Sequence, residues 1–224
     1  MGLYRGILFF LFECICNFDA AYGQFQELPG FKVLRARAYI KPDDAALRSN
    51  NLDFIGLRGY VDFRQEYFSG APVDVTIALY GMGPKDGTSS YGIHVHRWGN
   101  MMKGCANTGP HFNPDLVPHG GDISFIRHAG DLGNTVEGRA DLRVKRMRTD
   151  RLSLFGRNCI LGRSVVVHRQ ADDMGLGSSM DSLRMGNAGS PVGCGVIGWI
   201  KPVMLDADDD DDDDEISVED LNLS

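Results

Sequence analysis

Five of the protein's six histidines stand between Gly92 and Asp131: His94 and His96 in G-I-H-V-H, His111 in G-P-H-F-N-P, His119 in H-G-G and His128 in R-H-A-G-D-L-G-N. The sixth, His168, ends the run V-V-V-H. Imidazole is the commonest metal ligand in proteins. His94 and His96 are two residues apart, so on a strand they share a face and both can reach one ion. A structural zinc site would recruit thiolates, and the five cysteines are not spaced for that. Nitrogen ligation by more distant histidines suits copper or zinc. Asp131, three residues after His128, supplies a carboxylate. Six histidines and one aspartate exceed a single four-coordinate site, whereas two ions sharing a ligand would use them all.

The elements that must position these residues read as strands. Val33–Ile40, Ile55–Gln65, Asp74–Met82 and Gly138–Met147 alternate apolar and polar residues, as half-buried strands do. In the first of these, Arg35 and Arg37 fall on the exposed face. Ser164–His168 is a β-branched run, and Val192–Ile200 closes the domain. Glycine is abundant, at 28 residues, and helical periodicity is hard to find, so the fold class expected is all-β. Two long stretches, Asn100–Asn134 and Arg169–Pro191, carry no strand signal; long loops on a β scaffold are usually functional.

The net charge of −7 hides a division. From Asp206 onward there are eleven acidic residues and no Lys or Arg, so residues 1–205 alone stand at +4. The basic residues are scattered, without a stripe or interleaved aromatics, and no nucleic-acid partner is expected. Residues 1–23 have a positive start, an apolar middle and small residues at Ala21 and Gly23, the three parts of a secretory signal. That run is too short to span a membrane, and no other segment is long enough, so no membrane partner is expected. The division expected is 1–23 signal peptide, 24–32 N-terminal extension, 33–205 folded domain and 206–224 acidic tail. The tail holds seven consecutive aspartates, Asp208–Asp214, and is expected to be disordered, because like charges repel and it cannot bury a core.

With those motifs in hand, the chain resembles the copper/zinc superoxide dismutases. The matching segments are G-I-H-V-H, G-P-H-F-N-P, H-G-G, R-H-A-G-D-L-G-N, V-V-V-H, A-D-D-M-G and G-N-A-G-S-x-x-x-C-G-V-I-G, in family order over roughly residues 33–203. The resemblance implies an eight-stranded antiparallel Greek-key β-barrel or sandwich with two long functional loops. It implies copper bound by His94, His96, His111 and His168, and zinc by His111, His119, His128 and Asp131, with His111 bridging the two as an imidazolate. Asp172 matches the outer carboxylate that ties a copper histidine to a zinc histidine. Cys105 and Cys194 match the family's intrasubunit disulfide. With Cys14 and Cys16 in the signal, that pairing leaves Cys159 over, expected as a buried or interface thiol. The activity implied is antioxidant: copper passes an electron from one superoxide to the next, giving dioxygen and hydrogen peroxide, while His111 and His168 stand at the reacting centre and His111 carries a proton to the product. The family often forms homodimers. A signal and a disulfide favour secretion, with the cytoplasm as the alternative.

The chain departs from the family at one telling place. The family has an arginine in G-N-A-G-S-R, beside the copper; here the residue is Pro191. Proline has neither charge nor backbone donor. Losing a charge-assisted contact of about 1.5–3 kcal/mol corresponds to roughly ten- to a hundredfold in rate. Leu183 and Met185 replace residues that are usually polar, and the loop's acidic pair is reduced to Asp181. Arg184 is the nearest cation left and a weak substitute, and Lys103 also draws anions. Three readings of different class follow, in this order: a dismutase of reduced activity, a secreted copper-binding relative of the dismutases with little catalysis, and an interaction module whose acidic tail binds a partner.

Overall fold

The computed structural model describes residues 31–44, 54–82, 90–135, 142–200 and 203–204. The signal-like leader and the acidic tail lie outside them. The strands are β1 (Phe31–Pro42), β2 (Arg58–Glu66), β3 (Val73–Tyr80), β4 (Gly92–His96), β5 (Asp131–Asn134), β6 (Arg143–Thr149), β7 (Ser164–His168), β8 (Pro191–Trp199) and the two-residue β9 (Val203–Met204). All pair antiparallel, in the order β5-β4-β7-β8-β1-β2-β3-β6, with β9 on the N-terminal end of β1. The fold is all-β, eight antiparallel strands in a curled sheet.

The sheet curls because alternate residues must leave water. Ala36, Ala38 and Ile40 of β1, Val61 and Phe63 of β2, Val73, Val75 and Ile77 of β3, Ile93 and Val95 of β4, and Val165 and Val167 of β7 all turn into one core. Across the seam between the end strands, Lys145 of β6 donates to the Leu132 and Asn134 carbonyls of β5 (2.8 and 3.1 Å) and to Asp122 (2.6 Å).

Besides shifts of a few residues at strand ends, such as β2 starting at Arg58 rather than Ile55, four features depart from what the sequence predicts. A strand, β5, forms inside the stretch that shows no strand signal. It is four residues long, too short to display a period, and it forms because Gly92 and His94 of β4 offer it an edge. A short helix, α1 (Met180–Met185), forms in the second loop, capped by the Ser179 hydroxyl accepting from Ser182 N (3.1 Å). Arg37, expected exposed, is buried: its guanidinium forks onto Asp62 of the facing strand and lies 4.4 Å from the Tyr60 ring centroid. Cys159 is buried as expected but is not a free thiol.

Candidate metal centre

The period of β4 sends Ile93 and Val95 inward and leaves His94 and His96 on the outer face. There they lie beside Val166 and Ser164 of β7, and His168 follows two residues further along β7. Two loops cover that face. In the first, Phe112 N donates to Val95 O (2.8 Å) and Val95 N to Gly130 O (2.8 Å). This hook sets His111 beside His96 as an isolated bridge. Gly130 has to be glycine, because a β-carbon there would meet the Val95 carbonyl oxygen. The Cys105–Cys194 disulfide ties the same loop to β8 across 89 residues of sequence. Asp43 holds the start of that tie by accepting from Cys105 N (2.7 Å).

Four of the six histidines each turn one ring nitrogen to a partner that can only accept, which leaves the other nitrogen to face an ion. His96 Nδ1 donates to Gly109 O (2.7 Å), with Thr108 Oγ1 at 3.0 Å. His168 Nδ1 donates to Gly189 O (2.9 Å). Their Nε2 atoms face each other at 3.2 Å. Asp172 takes the Nε2 protons of His94 (2.9 Å) and His119 (2.8 Å). That leaves Nδ1 of His94, Nδ1 of His119 and Nε2 of His111 buried without a hydrogen bond. Such orphaned imidazole nitrogens are expected where an ion completes the set.

The donor atoms collect into two groups around His111. His94, His96, His111 and His168 form one cluster of buried ligand atoms lying within 4.8 Å of one another. On the other side His111 Nδ1 stands 3.0 Å from Asp131 Oδ1 and 3.4 Å from His128 Nδ1. His119 Nδ1 is 3.0 Å from Asp131 Oδ2, and His128 Nδ1 is 3.3 Å from Asp131 Oδ1. A tetrahedron with metal–ligand bonds of about 2.0–2.1 Å has edges of roughly 3.3 Å, so this spacing fits one zinc ion. His94 stands close enough to be grouped with His111, His119 and Asp131 as well. Its Nε2 is committed to Asp172, however, and His128 closes the second set by its distances to His111 and Asp131.

Asp172 is itself held by Asn134, which accepts from Asp172 N (2.7 Å) and donates to its carbonyl (2.8 Å). Gly186, the left-handed cap of α1, leaves room for it: a β-carbon there would strike Asp172 Oδ1 and approach His119 Nε2 to 2.5 Å. These supports, with Thr108, Asp43 and the two carbonyls at Gly109 and Gly189, were not found from the sequence. Backbone acceptors leave no trace in residue type. Asn134, however, lies in the quoted R-H-A-G-D-L-G-N motif. Arg184 lies on the other side of His111: it lines a cavity of about 580 Å³ with His111, His128, Arg97, Arg157 and Arg163. Pro191 opens β8 in register with His168.

The charges follow the same division. Burial, with the neighbouring imidazoles, pulls His94, His96 and His111 below their ordinary value. Burial takes His168 down to about 4. Burial alone would raise Asp131, but His111, His119 and His128 hold it far below the usual carboxylate range, and His119 and His94 do the same for Asp172. His119 lies between those carboxylates, which overcome its burial and push it up to about 9. In the metal-free protein the unfolded chain therefore binds more protons below pH 6.5, and stability falls as pH falls. His168 alone removes about 2 kcal/mol by pH 5. Asp131 and Asp172 add a further loss below about pH 4. His119 has the opposite sign: its contribution is complete below pH 6.5 and is lost as pH rises through 9. The urea midpoint of metal-free protein is expected to drop between pH 7 and pH 5. A level midpoint would mean that the buried imidazoles already carry protons in the fold.

Among known proteins, the family described as copper/zinc superoxide dismutase matches residues 57–197. The chain is 43% identical over 141 residues to a copper–zinc superoxide dismutase of Schizosaccharomyces pombe, covering 62% of this chain and 88% of that one. It is 40% identical over 142 residues to a copper–zinc superoxide dismutase of Dictyostelium discoideum (63% and 90%). It is 44% identical over 140 residues to one of Yarrowia lipolytica (62% and 88%).

Proposed function

This chain belongs to the copper/zinc superoxide dismutase family, and we propose that it converts superoxide to dioxygen and hydrogen peroxide at a rate lowered by Pro191. The observation that carries the reading is the paired donor set, with His111 presenting Nε2 to His94, His96 and His168 and Nδ1 to His119, His128 and Asp131. Copper held by the first set would supply one-electron redox chemistry, and zinc held by the second a fixed positive charge.

The chain's own residues do the rest. Gly109 O, Gly189 O and Asp172 keep His96, His168 and His94 in the tautomer that points a lone pair inward. His111 is the imidazole placed to hold and release a proton, because it stands between the two proposed sets with its Nε2 clear of any protein acceptor and its Nδ1 beside Asp131. Two superoxide anions need two protons to leave as dioxygen and hydrogen peroxide. Arg184 is one of the cations this chain offers on the second loop, with Arg169 at its start. Arg184 faces the cavity on the His111–His128 side, and the residue in register with His168 is an uncharged proline. Secretion is part of the proposal, supported by the signal-like residues 1–23 and the Cys105–Cys194 disulfide. No helix among the described residues is long and apolar enough to cross a membrane.

The test is superoxide decay after pulse radiolysis on protein whose copper and zinc have been quantified. Catalysed decay proportional to copper content supports a dismutase. Fully loaded protein that leaves the decay at its spontaneous rate overturns it. Pro191 favours the second reading in that event, a secreted copper-binding relative.

A further inference from the structure

The cavity on the His111–His128 side is unusual in its charge. Four arginines line it: Arg97, Arg157, Arg163 and Arg184. Among the described residues only Arg157 has a carboxylate partner, Asp115 at 2.5 Å. Arg163 is held rigidly. It lies 3.8 Å from the Phe112 ring centroid and donates to the carbonyls of Arg97 (2.7 Å) and Cys159 (2.9 Å). Burial and the charge of Arg97 both pull its pKa down, so two cations are kept together with nothing negative between them. About 580 Å³ walled by four arginines is far more room and charge than a diatomic anion uses.

We propose that the groove takes this chain's own acidic tail, with Asp208–Asp214 laid against Arg97, Arg157, Arg163 and Arg184 of the same molecule. The charges match: the tail from Asp206 carries eleven acidic residues and no cation, while residues 1–205 stand at +4. The reach is sufficient. Arg163 O accepts from Ile197 N (2.9 Å), so β8 passes beside the groove. Met204 is seven residues further on, within about 25 Å of that point at ~3.3 Å per residue. Asp208–Asp214 stand four to ten residues beyond Met204, an extended span of up to ~35 Å. The run can therefore turn back over the same distance. Attachment to the chain holds its effective concentration near millimolar, enough for a contact of many weak charge pairs. Those pairs are screened by salt. The groove is thus occupied from within, and high salt or a stronger polyanion would vacate it. The proposal does not depend on the catalytic reading.

The test uses phenylglyoxal, which modifies accessible arginines, with the sites resolved by mass spectrometry. The full chain is compared with a variant in which each residue of Asp208–Asp214 is replaced by serine (Asp208→Ser through Asp214→Ser). At low salt Arg97, Arg157 and Arg184 are expected to react about fivefold more slowly in the full chain, as ~80% occupancy gives by mass action. The difference should vanish at ~0.5 M salt. Arg64 and Arg148, exposed and paired with Asp74 on the β2–β3–β6 side, should react alike in both proteins. Equal rates at the groove in the two proteins at low salt overturn the proposal. So does protection spread equally over Arg64 and Arg148, which would be diffuse attraction. Protection that fades on dilution overturns docking within one molecule in favour of a second copy's tail.

Discussion

Replacing His111 with alanine is expected to remove superoxide consumption almost entirely and to weaken both metals at once. Every other ligand in the proposed set serves one cluster; His111 serves two. Its Nε2 is buried without a hydrogen bond on the side of His94, His96 and His168, and its Nδ1 lies 3.0 Å from Asp131 and 3.4 Å from His128 Nδ1. Its ring also stacks on His94, with centroids 3.9 Å apart, so the loss leaves a hole between the clusters. Mutating an outer partner of a metal ligand typically costs 10–100-fold in affinity or activity, and a ligand common to two ions should cost at least ~100-fold. Metal content after dialysis, read beside superoxide decay, checks it. Asp172→Ala is the graded comparison, because it removes the tie between His94 and His119 and the acceptor of Met174 N but none of the proposed ligands. A His111→Ala protein that keeps both ions and stays within tenfold of the parent would remove the bridging role.

Pro191→Arg is expected to raise the second-order rate with superoxide roughly ten- to a hundredfold, the equivalent of a charge-assisted contact of about 1.5–3 kcal/mol. The position opens β8, is half-buried and pairs in register with His168. An arginine there would bring a cation to the one histidine at this end of β7. The gain should shrink as salt rises, since attraction of an anion to an exposed cation is screened over about 8–10 Å at moderate ionic strength. Pulse radiolysis on parent and variant with equal copper distinguishes the first two functional readings. An active parent and a faster variant mean a dismutase with a detuned approach. A silent parent and an active variant mean a scaffold turned to copper binding. No gain at any ionic strength would mean that the proline is not what limits the rate.

The gathering of the histidines was legible because its chemistry is written in residue types. Histidines two apart on a strand share a face whatever the rest of the chain does, and β4 places His94 and His96 that way. Ser164–His168 was legible because its three central valines are β-branched and the strand is buried on both faces. What stayed hidden depends on partners far away in sequence. The strand β5 exists because β4 offers an edge. Arg37 is buried because Asp62 and Tyr60 stand opposite on β2, which its alternation with Arg35 does not reveal. The four arginines of the groove are scattered from position 97 to 184, and only the fold gathers them.

Lys145 gives the seam between β5 and β6 a significance beyond shape. Two end strands with unused carbonyls are templates on which another chain can extend the sheet. One ammonium placed on the Leu132 and Asn134 carbonyls, and paired with Asp122, occupies those acceptors on β5 and puts an ion pair where an incoming strand would have to lie. The same side chain that joins the ends of the sheet would therefore oppose edge-to-edge pairing of a second chain at β5.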